Sequence, residues 1–263
     1  MVNTALRHSR SRALSRSAAD QPINGPTDQP INGSTDQRPN GYHRNVRRRF
    51  DAILFDFDYT LADSSSAVVE CANGALRAMG LPDASEHAIC RTIGLALPET
   101  LVRLAGEEHS HRAAEFRLHW RRRSDQIMVA WTRIFPYVPA TLEGLKRCNL
   151  QLGIVSTKYR ERIAAVLGRE GLAHYFDAIV GGEDVEAFKP DPGGLLAAIE
   201  RLAIPLDRAL YVGDSVIDAE TARRAGVAFL AVLSGKTERE EFAEYPAEAV
   251  LSSVADLPGL VRC

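Results

Sequence analysis

Short apolar runs alternate with helical repeats along most of the chain, and this alternation predicts its fold. Residues 52–55 form an apolar run that predicts a buried strand. Similar apolar runs predict strands at 152–155, 178–180, 209–212 and 227–232. Helical spacing of apolar residues predicts helices between them, at 140–148, 160–168, 194–202 and 218–224. Short apolar strands joined by helical crossovers are typical of parallel sheets covered on both faces. We therefore expect an α/β fold with a doubly wound, Rossmann-like parallel sheet.

A long segment after the first predicted strand has helical spacing only. Apolar residues recur every three or four positions over 67–79, and further helices are predicted at 85–93, 98–104 and 111–130. No convincing strand pattern occurs between Asp63 and Phe135. We therefore predict an all-helical insert at 66–136 within an α/β core formed by residues 50–65 and 137–263.

Residues 1–49 differ in composition from the rest of the chain. The first 50 residues contain nine Arg, three Asp and no Lys or Glu, so their formal charge is +6 and that of the remainder is −8. An eight-residue repeat rich in Pro, Gly and Asn begins at Asp20 and recurs at Asp28 and, degraded, at Asp36. Such a segment cannot bury enough apolar surface to offset its ordering entropy, so we predict a disordered tail. The acidic body argues against a nucleic-acid partner.

Four widely spaced cysteines and the absence of long apolar stretches restrict the class of protein. The cysteines include no C-x-x-C pair, which favours free thiols over a disulfide framework or a zinc site. No run of about 18 apolar residues occurs, so no membrane span is expected. The N-terminus lacks the apolar stretch of a secretory signal. A soluble, cytoplasmic protein without a membrane partner is the expectation, and the oligomeric state is left open.

Polar residues follow the predicted strands at the points where those strands end. Asp56 and Asp58 come directly after the first strand, two positions apart. Extended backbone would project both carboxylates the same way, and two like charges repel unless a cation or proton offsets them. Ser156, Thr157 and Lys158 follow the second strand, Asp214 and Asp218 follow the fourth, and Lys189-Pro190 lies between. Since ligands bind at the carboxyl ends of parallel strands, these groups predict a site there.

The order of these segments resembles the haloacid dehalogenase-like hydrolase superfamily. Its four motifs correspond to Asp56-Phe-Asp58-Tyr-Thr60, Ser156, Lys189-Pro190 and Gly213-Asp214-Ser215-Val-Ile-Asp218. The resemblance covers about residue 50 to the C-terminus. The helical insert directly after the first motif looks like the family's C1-type cap, and the Asp-Pro pair after Lys189-Pro190 is most similar to the phosphoglycolate phosphatase group.

The resemblance implies a magnesium-dependent phosphomonoester hydrolase that acts on a small phosphorylated metabolite, phosphoglycolate being the suggestion. Asp56 would be the nucleophile and form an aspartyl-phosphate, while Asp58 would protonate the leaving oxygen and later activate water. Magnesium would be held by Asp56, Asp214 and the backbone carbonyl of Asp58. The carboxylate at position 58 favours phosphoryl transfer, because the dehalogenase branch lacks one there.

Further residues receive supporting roles from the same resemblance. Ser156 would donate a hydrogen bond to a phosphoryl oxygen, and Lys189 would pair with both the phosphate and Asp56. Asp218, one helical turn after Asp214, is expected to contact water or Lys189. Thr60 is expected to brace the loop and Asp58. Lys158 is interpreted as an exposed side chain near the site, and Asp63 as a helix N-cap or turn residue.

The insert and the alternative functions are less well determined by the sequence. Gly94 lies where related caps carry a substrate-specificity loop, although an ordinary turn fits as well, and Arg121 is a candidate contact for an anionic substrate. A sugar phosphomutase, a pyrophosphatase and a nucleotidase are compatible with the same scaffold. A non-catalytic phosphate-binding protein is the remaining alternative.

Overall fold

The computed structural model describes residues 50–261, which contain a six-stranded parallel sheet. Its strands are β1 (Ala52–Phe55), β4 (Gln151–Val155), β5 (Ala178–Val180), β6 (Ala209–Gly213), β7 (Ala228–Val232) and β8 (Val250–Leu251). They lie in the order β5-β4-β1-β6-β7-β8. The predicted α/β fold is confirmed, and the five predicted strands are present. The sixth strand, β8, was not predicted, because two half-buried residues give no periodic signal. The predicted disordered tail at 1–49 lies outside the described residues.

The central position of β1 follows from its composition. All four of its residues are fully buried, as expected of a strand covered on both faces. Phe55 at its end pairs in register with Ile154 of β4 and Val212 of β6. The three strands therefore end level, so residues directly after them come together at one edge of the sheet.

Helices cover both faces of the sheet, which makes it doubly wound. Side chains of α5 (Val138–Arg147), α6 (Arg160–Arg169) and α9 (Leu257–Leu260) pack in one core cluster with Ile53 and Phe55. Side chains of α7 (Gly193–Arg201) and α8 (Val216–Ala225) pack in a second cluster with Ala52 and Leu54. Alternate residues of β1 thus enter opposite clusters, as the period of two in a strand requires.

The segment after β1 forms a separate helical cluster. It consists of α1 (Ser65–Ala78), α2 (Glu86–Cys90), α3 (Leu97–Ala105), a 3-10 helix (Glu107–Arg112) and α4 (Ala113–Trp131). Buried side chains such as Leu76, Leu101 and Phe116 form a core that is distinct from the two sheet clusters. These elements agree with the predicted helices to within a few residues, except that the first residues of the predicted 111–130 helix are 3-10 in form.

A short antiparallel ribbon lies at the base of this helical segment. Its strands are β2 (Ala62–Asp63) and β3 (Arg133–Ile134), with Ala62 opposite Ile134 and Asp63 opposite Arg133. The prediction that no strand occurs between Asp63 and Phe135 is therefore wrong. Two-residue strands carry no readable period, because their pairing depends on the two passes of the chain lying side by side. The division at 66–136 stays a prediction.

The described cysteines do not all agree with the expectation of free thiols. Cys71 and Cys90 are free and buried in the helical segment. Cys148 is disulfide-bonded, so the expectation is wrong at that position. Within residues 50–261, no helix is long and apolar enough to cross a membrane.

Candidate active site

A tight turn directly after β1 positions the first two carboxylates. The backbone amides of Leu61 and Ala62 both donate to the carbonyl of Phe57, at 2.9 and 3.0 Å. Tyr59 adopts a left-handed conformation with φ of 62°, and Ser234 donates to its carbonyl at 2.6 Å. The chain therefore reverses at once, which keeps residues 56–60 at the carboxyl end of the sheet.

Asp56 lies in a buried ion pair with Lys189. The Lys189 Nζ atom is 2.7 Å from Asp56 Oδ1, and both side chains are only 6% exposed. The same Nζ is 2.6 Å from Asp218 Oδ1. One lysine therefore contacts two carboxylates, one directly after β1 and the other on α8. The expected contacts of Lys189 with Asp56 and of Asp218 with Lys189 are both present in the structure.

Asp218 is fixed by the start of α8 and by a buried tyrosine. Its Oδ2 accepts hydrogen bonds from the backbone amide and the hydroxyl of Ser215, at 3.2 and 2.6 Å, in a capping box. The hydroxyl of Tyr211, from β6, lies 2.9 Å from Asp218 Oδ1 and 3.2 Å from Lys189 Nζ. All of these groups hold Asp218 rigidly as a support for Lys189.

Asp214 completes the acidic cluster and has few partners of its own. Thr60 donates to its Oδ1 at 3.3 Å. A Cβ atom on Gly235 would lie 1.9 Å from Asp214 Oδ2, so the carboxylate packs directly against that glycine. Thr60 was expected to brace Asp58 and instead contacts Asp214. The reason is that the turn after β1 carries Thr60 toward the end of β6.

The charges of this cluster suit a divalent cation. One carboxylate oxygen from each of Asp56, Asp214 and Asp218 lies within 4.8 Å of the others, and all three residues are buried. Three carboxylates opposed by Lys189 alone leave a charge of about −2 when ionised. Carboxylate oxygens are the ligands that magnesium prefers. Asp218 is already engaged by Lys189 and Ser215, so Asp56 and Asp214 fit best as direct ligands.

Shifted pKa values reflect the same excess of negative charge. Burial raises the pKa of Asp56 to about 6, against the opposing effect of Lys189. Burial and the neighbouring charges of Asp218 and Asp56 raise the pKa of Asp214 well above its ordinary value. Burial lowers the pKa of Lys189, but Asp218 and Asp56 outweigh it and hold that pKa well above normal. A bound cation would relieve the repulsion that produces the shifts on the carboxylates.

Asp58 lies in a second buried ion pair, on the side of the helical segment. Lys158 Nζ is 2.8 and 2.9 Å from its two carboxylate oxygens, and the hydroxyl of Ser64 donates to Oδ1 at 2.7 Å. The side chain of Lys158 is only 5% exposed. The interpretation of Lys158 as an exposed side chain is therefore wrong. The level ends of β1 and β4 bring Lys158 inward to Asp58, and a buried ammonium needs such a partner.

Ser156 and Asp63 take local roles at the two ends of this region. Ser156 is buried at the end of β4, where its hydroxyl oxygen accepts the amide hydrogen of Lys158 at 3.3 Å. Its hydroxyl donates to no group within residues 50–261, so the proton is available to a ligand. Asp63 accepts from the amide of Ser65 at 2.8 Å. Asp63 is the last residue of β2, and its side chain closes a local turn onto Ser65. Ser64, not Asp63, occupies the N-cap position of α1.

A cavity of about 240 Å³ lies between the helical segment and the Asp58–Lys158 pair. Gly94 and Arg121, the two candidates in the insert, are both in its wall. Gly94 has φ of 96°, a conformation that favours glycine, and a Cβ there would meet nothing within 4 Å. Its apolar side chains include Trp120, Met128 and Phe188.

Comparison with known proteins agrees with this arrangement. The haloacid dehalogenase-like hydrolase family matches residues 53–232, which include all four motif segments. The chain belongs to the haloacid dehalogenase-like hydrolase family. The phosphoglycolate phosphatase of Yersinia pseudotuberculosis is 32% identical over 209 residues, covering 78% of this chain and 90% of that protein. That of Aquifex aeolicus is 33% identical over 175 residues, covering 66% and 80%.

A solved structure supports the same assignment. A haloacid dehalogenase-like hydrolase from Bacteroides fragilis superposes with a TM-score of 0.77 at 43% identity, covering 79% of this chain and 99% of that one. The resemblance to the family and to its phosphoglycolate phosphatase group is confirmed, and the chain is a phosphatase of this hydrolase family.

Three residues of this hydrolase site escaped sequence reasoning, and Lys158, like Thr60, received the wrong role. Tyr211 lies inside an apolar run and reads as a core residue, and Ser64 is one of three consecutive serines. Gly235 lies three residues after β7, without a motif to mark it. Lys158 does carry a signal, since it follows Ser156 by two positions at a strand end. A lysine there has the same access to the site as the residues before it.

Proposed function

We propose that this chain is a magnesium-dependent phosphomonoesterase that hydrolyses a small phosphorylated metabolite of the phosphoglycolate type. The observation that carries the proposal is the convergence of Asp56, Lys189 and Asp214 at the end of β1, with Asp58 two residues on. The names of the two bacterial relatives support phosphoglycolate as the first substrate to try.

The reaction begins with Asp56 as the nucleophile. Its Oδ2 forms no hydrogen bond within residues 50–261, while Lys189 holds Oδ1, so Oδ2 is the oxygen available to attack phosphorus. The bond from phosphorus to the leaving oxygen breaks as the new bond forms, and Asp58 gives its proton to that oxygen. The product alcohol departs and leaves an aspartyl-phosphate on Asp56.

Hydrolysis of the intermediate reverses the role of Asp58. Asp58 takes a proton from water as the water oxygen attacks phosphorus, and the bond to Asp56 breaks. Inorganic phosphate is released, and Asp56 regains its carboxylate. Asp58 thereby regains the proton that it donated, and its ion pair with Lys158 must open before that proton is donated.

Charge stabilisation comes from groups around the phosphoryl oxygens. The ammonium of Lys189 lies beside Asp56, and the free hydroxyl proton of Ser156 is available for a second contact. Magnesium would be held by carboxylate oxygens of Asp56 and Asp214 and by the backbone carbonyl of Asp58. When bound, it would neutralise phosphoryl charge and the repulsion between these carboxylates.

The helical segment from α1 to α4 acts, in this proposal, as a C1-type cap. Its side chains form a separate core, and the β2–β3 ribbon joins it to the sheet domain. A cap over Asp58 would exclude bulk water and admit substrate through the cavity.

A screen of phosphorylated metabolites with magnesium tests the proposal. The wild-type protein should release inorganic phosphate from phosphoglycolate, and Asp56→Asn should reduce kcat by at least about 10³-fold. Equal rates in the two proteins would contradict the proposal. Product analysis with sugar phosphates distinguishes the mutase alternative, because a mutase yields an isomerised sugar phosphate without stoichiometric free phosphate.

A further inference from the structure

The cavity beside Asp58 is strongly cationic for its size. Its wall carries Lys158, Arg117, Arg121 and Arg162, and Asp58 is the one carboxylate among the described residues that line it. Arg117 has no ion pair within residues 50–261. Three of the four cations therefore lack a carboxylate partner in the wall. This excess favours a ligand with negative charge beyond that of the transferred phosphoryl group.

Two of these cations have partners outside the cavity wall. Asp125 lies 2.5 Å from Arg162 and 4.0 Å from Arg121. Arg121 is 65% exposed, so it can be fully hydrated without any ligand. Lys158 differs from them, because its side chain is 5% exposed and, within residues 50–261, Asp58 is the one carboxylate that compensates its charge.

The surroundings of Lys158 make a loss of that partner costly. Its Nζ lies 3.5 Å from the sulfur of Met128 and 5.9 Å from the ring centre of Phe57, and both of those residues are buried. Neither group replaces a carboxylate as a hydrogen-bond acceptor. If Asp58 turned toward a leaving oxygen, Lys158 would stay behind as a buried ammonium without a counter-charge.

We propose that Lys158 binds a second acidic group on the substrate, a carboxylate close to the leaving oxygen, which takes the place of the Asp58 carboxylate. This inference rests on the proposed phosphatase function and names the chemistry that the enzyme selects. An ester with such a group satisfies Lys158 at the moment when Asp58 serves the leaving oxygen. A neutral ester leaves Lys158 unpaired and is disfavoured for that reason.

The distances limit how far the two groups on the substrate lie apart. In the orientation that Asp58 has in the structure, its Oδ1 is 2.8 Å from Lys158 Nζ, so a leaving oxygen within about 3 Å of Oδ1 lies no more than about 6 Å from Nζ. A turn of the short Asp58 side chain toward the leaving oxygen keeps this separation of the same order. The acidic group must then lie within a few bonds of the ester oxygen. Asp58 already shows that this position accepts a carboxylate with both oxygens in contact.

The test compares phosphoglycolate with its amide, carbamoylmethyl phosphate, in which a neutral amide replaces the carboxylate at nearly the same volume. The readout is selectivity, the ratio of the two kcat/KM values, because any common effect through Asp58 cancels from it. Wild type should favour phosphoglycolate by at least about tenfold. Lys158→Met should lower that ratio by about 10- to 100-fold, and Lys158→Arg should retain most of it.

Arg122→Met is the matched control, because Arg122 lies on the same helix as Arg121 but is not in the cavity wall. It removes one positive charge and should leave the ratio unchanged within about threefold. Equal loss in Arg122→Met and Lys158→Met would overturn the inference in favour of a general charge effect.

Two further outcomes would also overturn it. One is a Lys158→Met variant that keeps wild-type selectivity. The other is a wild-type enzyme that hydrolyses phosphoglycolate and carbamoylmethyl phosphate equally well. This second measurement does not depend on whether the variants fold. Failure of the proposed function is distinct, because the wild-type protein would then hydrolyse neither compound faster than Asp56→Asn.

Discussion

Replacing Lys189 by methionine should destabilise the protein far more than removing a surface ion pair of the same length. Lys189 Nζ is within 2.7 Å of oxygens from Asp56 and Asp218, and its side chain is 6% exposed. The variant keeps the buried carboxylates and removes the cation between them. Their combined charge with Asp214 changes from about −2 to about −3 if all are ionised.

The expected magnitude follows from this burial. Breaking a buried ion pair by removing one partner costs about 3–5 kcal/mol, because the other charge is left uncompensated. A shift in Tm of about 6–20 °C corresponds to that loss in a domain of this size. Magnesium binds the same carboxylates in our proposal, so its addition should restore part of the loss.

Urea denaturation followed by circular dichroism, with EDTA and then with magnesium, measures both effects. Lys146→Met is the control, because Lys146 Nζ is 2.6 Å from Asp177 Oδ2 but the two side chains are 29% and 39% exposed. That exposed pair should contribute about 1 kcal/mol or less. Similar losses of unfolding free energy in the two variants would refute the charge balance at this site. A Lys189→Met variant whose unfolding free energy does not change on addition of magnesium would refute it as well.

Three further predictions concern single residues. Asp58→Asn should lower kcat/KM for phosphoglycolate by about 10²–10⁴-fold, and that for p-nitrophenyl phosphate much less, because its leaving group needs no proton; equal losses would contradict the acid role. Gly235→Ala places a Cβ 1.9 Å from Asp214 Oδ2, so it should weaken magnesium binding, measured by calorimetry, by at least about tenfold. Gly168→Ala is the control, because its Cβ meets nothing within 4 Å, and it should leave magnesium affinity unchanged. Burial raises the pKa of the Cys71 thiol to about 12, above an unfolded value of about 8.5. The protonated thiol therefore stabilises the fold fully below pH 8.5, and this contribution is lost as the pH rises toward 12. Native protein at pH 8 should leave Cys71 unmodified by DTNB, and rapid labelling of Cys71 would contradict its burial.

The strands of the core, and the meeting of the motif residues at one edge of the sheet, can be predicted from the sequence for a simple physical reason. Short apolar runs such as 52–55 are buried on both faces, so they are unmistakable as strands of a parallel sheet. Because parallel strands end level, Asp56, Ser156 and Asp214 were bound to meet once the strands were known. The contacts of Lys189 with Asp56 and Asp218 follow from the family resemblance and not from the strand pattern.

The remaining features depend on tertiary distances that no local pattern encodes. Lys158 is a charged residue at a strand end, and only the proximity of Asp58 makes its burial favourable. Thr60 contacts Asp214 because of the turn after β1, and Tyr211 is indistinguishable from a core residue until its hydroxyl is located. The β2–β3 ribbon exists because two distant passes of the chain lie together.

Identification of the phosphorylated residue tests the central claim most directly. Rapid acid quenching during turnover of phosphoglycolate, followed by borohydride reduction, converts an aspartyl-phosphate into homoserine. Tandem mass spectrometry can then assign that change to position 56 or 58, which lie on the same peptide. We predict homoserine at position 56 in the wild-type protein and none in Asp56→Asn. Steady phosphate release with no modified residue, or modification at position 58 instead, would contradict Asp56 as the nucleophile.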